Sequence, residues 1–223
     1  MLAFILRRIV QALVVMLAVA FIAFMLFQYV GDPVASMLGQ DATPEQRERL
    51  RADLGLDQPF VVQFAHFAGN AVRGDFGISL RQGRQVSALI AERLPATLEL
   101  SLAAAVIALA AGIPLGVYAA LRRGSFGSQV VMTLSLLGVS LPTFLIGILL
   151  ILVFAVMLKW LPSFGRGDTV AIGAWSTGLL TADGWKHLIL PAITLAVFQL
   201  ALILRLVRAE MLEVLRTDYI KFA

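Results

Sequence analysis

The stretch LSLAAAVIALAAGIPLGVYAAL, Leu100–Leu121, runs 22 residues without a charged side chain. A bilayer core about 30 Å thick needs ~20 apolar residues in a helix, so this segment alone is long enough to cross a membrane. Small residues recur in it at every fourth position: Ala104, Ala108, Gly112, Gly116 and Ala120. Residues four apart share a helix face. Lipid supplies no hydrophobic drive between helices, and small side chains let two backbones approach closely enough for packing to do that work. The ladder predicts a tight helix interface, with a neighbour in this chain or in another. Pro114 lies inside it and predicts a kink.

Three further charge-free stretches flank it: Ile9–Gly31 with 23 residues, Gly124–Leu158 with 35 and Leu188–Leu204 with 17. The apolar fraction is 60% and the charged fraction 14%, against roughly 45–50% and about 25% in soluble domains. The chain therefore reads as an all-α integral membrane protein, a helical bundle with four transmembrane helices and a helical outer-loop region. The expected spans are 9–30, 98–121, 130–158 and 188–208, within one partial transmembrane domain over 1–223. Outer loops cover 31–97 and 159–187, and 209–223 forms a helix on the inner side. Residues 124–129 belong to the inner interface, because 35 residues exceed one crossing.

The first span, preceded by Arg7 and Arg8, is longer than a signal-peptide apolar core and reads as an uncleaved anchor. With the N-terminus inside, Arg7, Arg8, Arg122, Arg123, Arg205, Arg208, Arg216 and Lys221 fall on one side, as the positive-inside rule requires. The net charge of +4 is thus a topology signal and not a nucleic-acid footprint.

Pro142 sits near the middle of the third span, beside Ser140 and Thr143. A proline there frees a carbonyl that hydroxyls, waters or neighbouring helices must satisfy. It marks either a broken helix lining a pathway or a kinked packing helix. Pro191 falls in the first turn of the fourth span, where it is tolerated. Gln199 is that span's one amide. Midspan Asp, Glu, Lys, Arg and His are absent, and Glu99, at the outer start of the second span, reads as an interfacial charge. That pattern argues against proton-coupled carriers, pumps and intramembrane hydrolases. The sequence has no cysteine, which excludes disulfides and thiol chemistry. His66 and His187 lack ligand-like spacing, so no metal site is expected. Lys159, Lys186 and Lys221 are not set in a phosphate loop; no catalytic residue or cofactor is assigned, and any ATP must be held by another chain.

The first outer loop carries its own helices. Thr43 with Gln46 forms a capping box around Pro44, and Gly55 ends that helix. Pro59 opens a second, whose Phe60, Phe64 and Phe67 fall at i, i+4 and i+7, with Gly74 as its stop. A third piece, Val86–Leu94, precedes Pro95. These apolar faces are expected on the membrane surface or against span ends. Arg73-Gly74-Asp75 and Asp75-Phe76-Gly77 read as turn residues. Trp160, Trp175 and Trp185 all fall in the second outer loop and read as interfacial anchors.

Several segments occur in a telling order: Gly31-Asp32-Pro33, Leu54-Gly55-Leu56-Asp57-Gln58-Pro59, Arg73-Gly74-Asp75-Phe76-Gly77-Ile78-Ser79, Glu92-Arg93-Leu94-Pro95-Ala96-Thr97-Leu98-Glu99-Leu100 and Leu190-Pro191-Ala192. The tail adds Arg205-Leu206-Val207-Arg208 and Met211 to Ile220. Over essentially the whole chain this set resembles the first permease type of the bacterial dipeptide/oligopeptide ABC importers, a family that also includes nickel and glutathione importers. Val30 departs from the proline that many relatives carry before Gly-Asp-Pro. The resemblance implies a multi-pass permease of the bacterial inner membrane that forms half of a translocation pathway. Its implied partners are a second permease, two ATP-binding subunits and an extracytoplasmic substrate-binding protein. No covalent chemistry is implied. Ser140, Pro142, Thr143 and Gln199 become the pathway candidates, and Arg216, Asp218 and Tyr219 the approach to the ATPase. Relatives continue into a docking loop and two further spans, six in all. Here Leu204, Val207, Met211, Leu215, Tyr219 and Phe222 keep helical spacing to the last residues without a stop signal, so the chain reads as cut before that loop. The rival readings are a membrane scaffold or assembly protein and a membrane-embedded enzyme.

Overall fold

A computed structural model describes residues 1–30, 34, 38, 43–53, 55–79, 82–173 and 175–217. The chain divides into two compact units, Met1–Ala91 and Glu92–Ala223.

In the first unit, helix α1 spans Leu2–Val30, about 43 Å at 1.5 Å per residue. None of its most apolar window is buried within the chain. Helix α2, Pro44–Asp53, starts at a reciprocal capping box. The Thr43 N–H donates to Gln46 Oε1 at 3.1 Å, and the Gln46 N–H to Thr43 Oγ1 at 3.3 Å. Gly55 turns the chain with φ +66°. Helix α3, Phe60–Val72, lays its phenylalanine stripe on α1. Phe60 and Phe64 meet Phe21 edge-to-face at 5.2 and 5.1 Å, and Phe67 stacks on Phe24 at 5.3 Å, separations at which aromatic pairs attract beyond their area burial. The buried Gln63 amide donates to the Leu56 and Gln58 carbonyls and so fixes the turn that leads into α3. After α3, Asp75 Oδ1 accepts from the Gly77 N–H at 3.0 Å, a side-chain turn of the kind Asp favours.

Helix α4, Val86–Leu121, is continuous through Pro95 and Pro114; the amphipathic piece and the second span form a single helix of about 54 Å. Ser125 caps helix α5, Phe126–Ser140. Helix α6, Thr143–Leu150, runs on as a π-turn segment, Ile151–Met157. The axes of α5 and α6 bend by 107°. The cause is local: Leu141, before the proline, is extended at ψ 133°, because the residue preceding proline is driven from the helical region. Of the two readings of Pro142, a broken helix or a kinked one, the structure has the broken helix.

A small antiparallel hairpin pairs β1, Val170–Ile172, with β2, Trp175–Thr177. Helix α7, Ala182–Val214, begins six residues earlier than the apolar run suggested. Thr181 Oγ1 accepts from the Gly184 N–H at 3.0 Å and caps it. Pro191 therefore lies inside the helix and not in its first turn.

α7 is the helix on which α4, α5 and α6 pack. Ala104 and Ala108 of α4 are buried with Ala196, against Ile107, Leu200 and Ile203. Gly112 stands where an added Cβ would meet Ile203 Cγ2 at 3.0 Å and the Leu200 carbonyl at 3.2 Å; at Gly116 it would lie 2.8 Å from the Leu204 carbonyl and from Val207 Cβ. Gly138 of α5 faces Val197, and Gly147 of α6 faces Thr194, at 3.0 and 3.3 Å by the same measure. At the far end of α4 the Ala119 carbonyl, one of the last four without a helical partner, accepts from Ser128 Oγ at 3.1 Å and from Arg208 Nε at 3.4 Å. Side chains from α5 and α7 thus close the end of α4.

Gly116→Ala is expected to destabilise the chain by about 1–3 kcal/mol, the usual cost of overpacking, since the added methyl meets backbone that cannot move alone. Gly69→Ala on α3 meets nothing within 4 Å and is expected to be neutral or mildly stabilising. Thermal unfolding of the two variants in detergent measures the contrast.

Candidate functional site

The first turns of α7, the Glu92–Leu100 part of α4 and the loop residues Gly165, Arg166, Ser176 and Gly178 line a cavity of about 420 Å³. Its wall contains Glu99, 7% exposed. A carboxylate so buried needs a partner, and it has one 67 residues away: Arg166 Nη2 donates to Glu99 Oε2 at 3.2 Å. The Gly178 N–H donates to the same oxygen at 3.3 Å. The guanidinium is itself held by β2, with Nη1 donating to Ser176 Oγ at 2.9 Å and Nη2 to the Ser176 carbonyl at 2.5 Å. One arginine thereby ties the hairpin to α4. Glu99 Oε1 and Arg166 Nε are buried without a hydrogen-bond partner. The Thr177 hydroxyl lies beside the carboxyl group but does not complete a hydrogen bond to Oε1.

A second network ties the same loop to α7. Thr181 Oγ1 donates to the Asp168 carbonyl at 2.6 Å, and Asp183 Oδ2 accepts from the Asp168 N–H at 3.1 Å. His187 Nδ1 lies 2.9 Å from the Asp183 carbonyl and 3.4 Å from its carboxylate. Trp185 Nε1 donates to the Leu179 carbonyl at 2.8 Å. At Gly167, φ +70°, a Cβ would sit 2.6 Å from Asp183 Oδ2; only glycine allows this approach.

The sequence candidates fall in several places. Ser140, Pro142 and Thr143 stand together and exposed at the α5–α6 break. Gln199 is also exposed, but lies two residues, or about 200° of helix, from Val197, which faces α5. No hydrogen bond among the described residues joins it to the break. Ala104, Ala108, Gly112, Gly116 and Ala120 are all buried. Arg216 is exposed just beyond α7, and Asp218 and Tyr219 lie outside the described residues. Among the described residues no group of three His, Asp or Glu is placed to hold a metal ion.

Sequence reasoning placed Glu99 at the interface; the structure buries it in an ion pair. What it missed is Arg166. The one signal that could have drawn attention to the acid is its place after an apolar turn, where an unpaired carboxylate would be costly. The arrangement can bind charge and hold a loop in register.

Arg166→Met would strand the Glu99 carboxylate, with an expected loss of about 1–3 kcal/mol for an unsatisfied buried group. Glu99→Leu with Arg166→Met should cost less than the sum of the two single changes. A double-mutant cycle by thermal unfolding measures the coupling; strict additivity would show that the contact carries no energy.

Comparison with known proteins places the whole chain. The profile of the binding-protein-dependent transport system inner membrane component matches residues 112–223, and the N-terminal profile of the same transport-system membrane components matches residues 1–102. A putative peptide transport system permease of Brucella suis biovar 1 (strain 1330) is 44% identical over 225 residues, covering 100% of this chain and 69% of the relative. The di/tripeptide transport system permease of Pseudomonas aeruginosa (strain UCBPP-PA14) is 40% identical over 237 residues, covering 100% of this chain and 70% of the relative. The glutathione transport system permease of Escherichia coli (strain K12) is 36% identical over 224 residues, covering 100% and 68%. With its apolar helices and matches along its full length, the chain belongs to the inner-membrane permease family of binding-protein-dependent ABC transport systems.

Proposed function

We propose that this permease forms one half of the translocation pathway of an importer for di- or oligopeptides or related small solutes. The observation that carries the reading is its likeness, at 36–44% identity over the whole chain, to permeases named for peptide, di/tripeptide and glutathione transport. Its partners are then a second permease, two ATP-binding subunits and an extracytoplasmic substrate-binding protein, set in the lipid bilayer. ATP is hydrolysed in the partner subunits, since this sequence has no phosphate loop. The chain itself works without a cofactor. The positive charges at Arg7, Arg8, Arg122, Arg123, Arg205, Arg208, Arg216 and Lys221 support an orientation with the N-terminus inside; in that orientation the Glu99–Arg166 cavity is on the outer side and Arg208 on the inner side.

In this reading the broken helix at Ser140, Pro142 and Thr143 borders the pathway, and Gln199 adds an amide from α7. Support comes from exposure: these residues are not consumed by packing within the chain. The ladder residues hold α4 against α7, and Arg216, Asp218 and Tyr219 lead toward the ATP-binding subunits.

Deletion of the gene in its native cell should abolish saturable uptake of a labelled di- or tripeptide, and reintroducing it should restore that uptake. Unchanged uptake of a dipeptide, a tripeptide and glutathione in the deletion strain would contradict the proposal.

A further inference from the structure

The cavity at the head of α4 and α7 has a chemistry that packing alone does not call for. Its wall carries two acids, Glu92 and Glu99, and two arginines, Arg93 and Arg166, so its formal charge is balanced while both signs are present. Such a wall matches neither a simple anion nor a simple cation. It matches a molecule bearing one charge of each sign. Its volume of about 420 Å³ falls in the range of small-ligand sites, about 300–1,000 Å³.

Two of these groups have capacity left. Arg93 is exposed, and among the described residues its guanidinium makes no hydrogen bond or ion pair. Glu99 is more than nine-tenths buried, and its Oε1 has no hydrogen-bond partner. Arg166 is occupied by Glu99 and Ser176 and serves to hold the acid in place. Arg93 and Glu99 are six residues apart on α4, about 9 Å along the axis. An extended peptide spans at most ~3.3–3.6 Å per residue, so the ends of a two- or three-residue peptide are separated by about that distance.

We propose that this cavity is a binding site for the free termini of a short peptide, the carboxylate held by Arg93 and the ammonium group by Glu99. The proposal rests on the peptide-permease reading and adds to it a recognition step on the permease itself. Glu99 then has two tasks: one oxygen fixes Arg166 and the hairpin, the other receives the ligand.

The test uses the 223-residue chain in lipid nanodiscs and labelled trialanine, its N-acetyl form and its C-terminal amide, by equilibrium dialysis. Trialanine should bind saturably, and blocking either end should weaken binding about tenfold or more, as expected for loss of a charge-assisted contact. Arg93→Gln, an exposed change that leaves the Glu99–Arg166 pair intact, should remove the preference for the free acid over the amide and keep the preference for the free amine. No saturable binding, equal binding of the blocked peptides, or an unchanged acid-to-amide preference in Arg93→Gln would each overturn the proposal. The same variant in the native cell separates the two readings. Peptide uptake lost on gene deletion but unaltered in half-saturation and end-group preference by Arg93→Gln sinks the site and leaves the permease function standing. Peptide binding in nanodiscs with uptake unaffected by gene deletion does the reverse.

Discussion

The approach of α4 to α7 sets the geometry of the second unit. In a bilayer, side chains gain little by leaving lipid for a helix interface, so contact must come from close packing. Here the backbone of α4 comes so near α7 that a methyl group at Gly116 would overlap the Leu204 carbonyl. Gly138 and Gly147 bring α5 and α6 against the same helix. Three helices thus share one partner through glycine or alanine, and the sharp break at Pro142 lets α5 and α6 reach different levels of it. The Ala119 carbonyl, held from α5 and α7, closes one end of this arrangement.

At the other end the constraint is electrostatic. Burying Glu99 beside the apolar faces of α4 and α7 is costly without a counter-charge, and Arg166 supplies it from a loop whose regular structure, among the described residues, is two paired three-residue strands. The loop is consequently not a free connection. It is fixed on α4 by Arg166 and on α7 by Thr181, Asp183 and Trp185. Fixing the loop in this way keeps its ordering cost within the folding of the chain.

Much of this was legible in local sequence, for physical reasons that can be named. The Thr43–Gln46 box, the Phe60, Phe64 and Phe67 stripe and the Asp75 turn are short-range patterns, and each forms between residues within about two helical turns. The ladder from Ala104 to Ala120 displays a packing face, but nothing in its spacing names Ile203 and Val207 as the neighbours. Pro142 marks the place of a break and leaves its angle, 107°, open. The start of α7 was misplaced because the apolar run was weighed above the Thr181 cap and the Asp183 that follows it. The Glu99–Arg166 pair was illegible for a deeper reason: 67 residues separate its members, and no periodicity connects a helix to a loop.

The central claim is that small residues on α4 seat it directly on α7, and disulfide trapping tests it most directly because the native chain has no cysteine. A Cβ at Gly112 lies 3.2 Å from Ile203 Cβ, close to the roughly 3.5–4.5 Å that a disulfide spans. Gly112→Cys with Ile203→Cys, oxidised in native membranes, should yield the cross-linked peptide by mass spectrometry in high proportion. Leu109→Cys with Ile203→Cys, which starts from the exposed side of α4, should not. Absence of the first cross-link, or equal yields from both pairs, would contradict the packing on which the account depends.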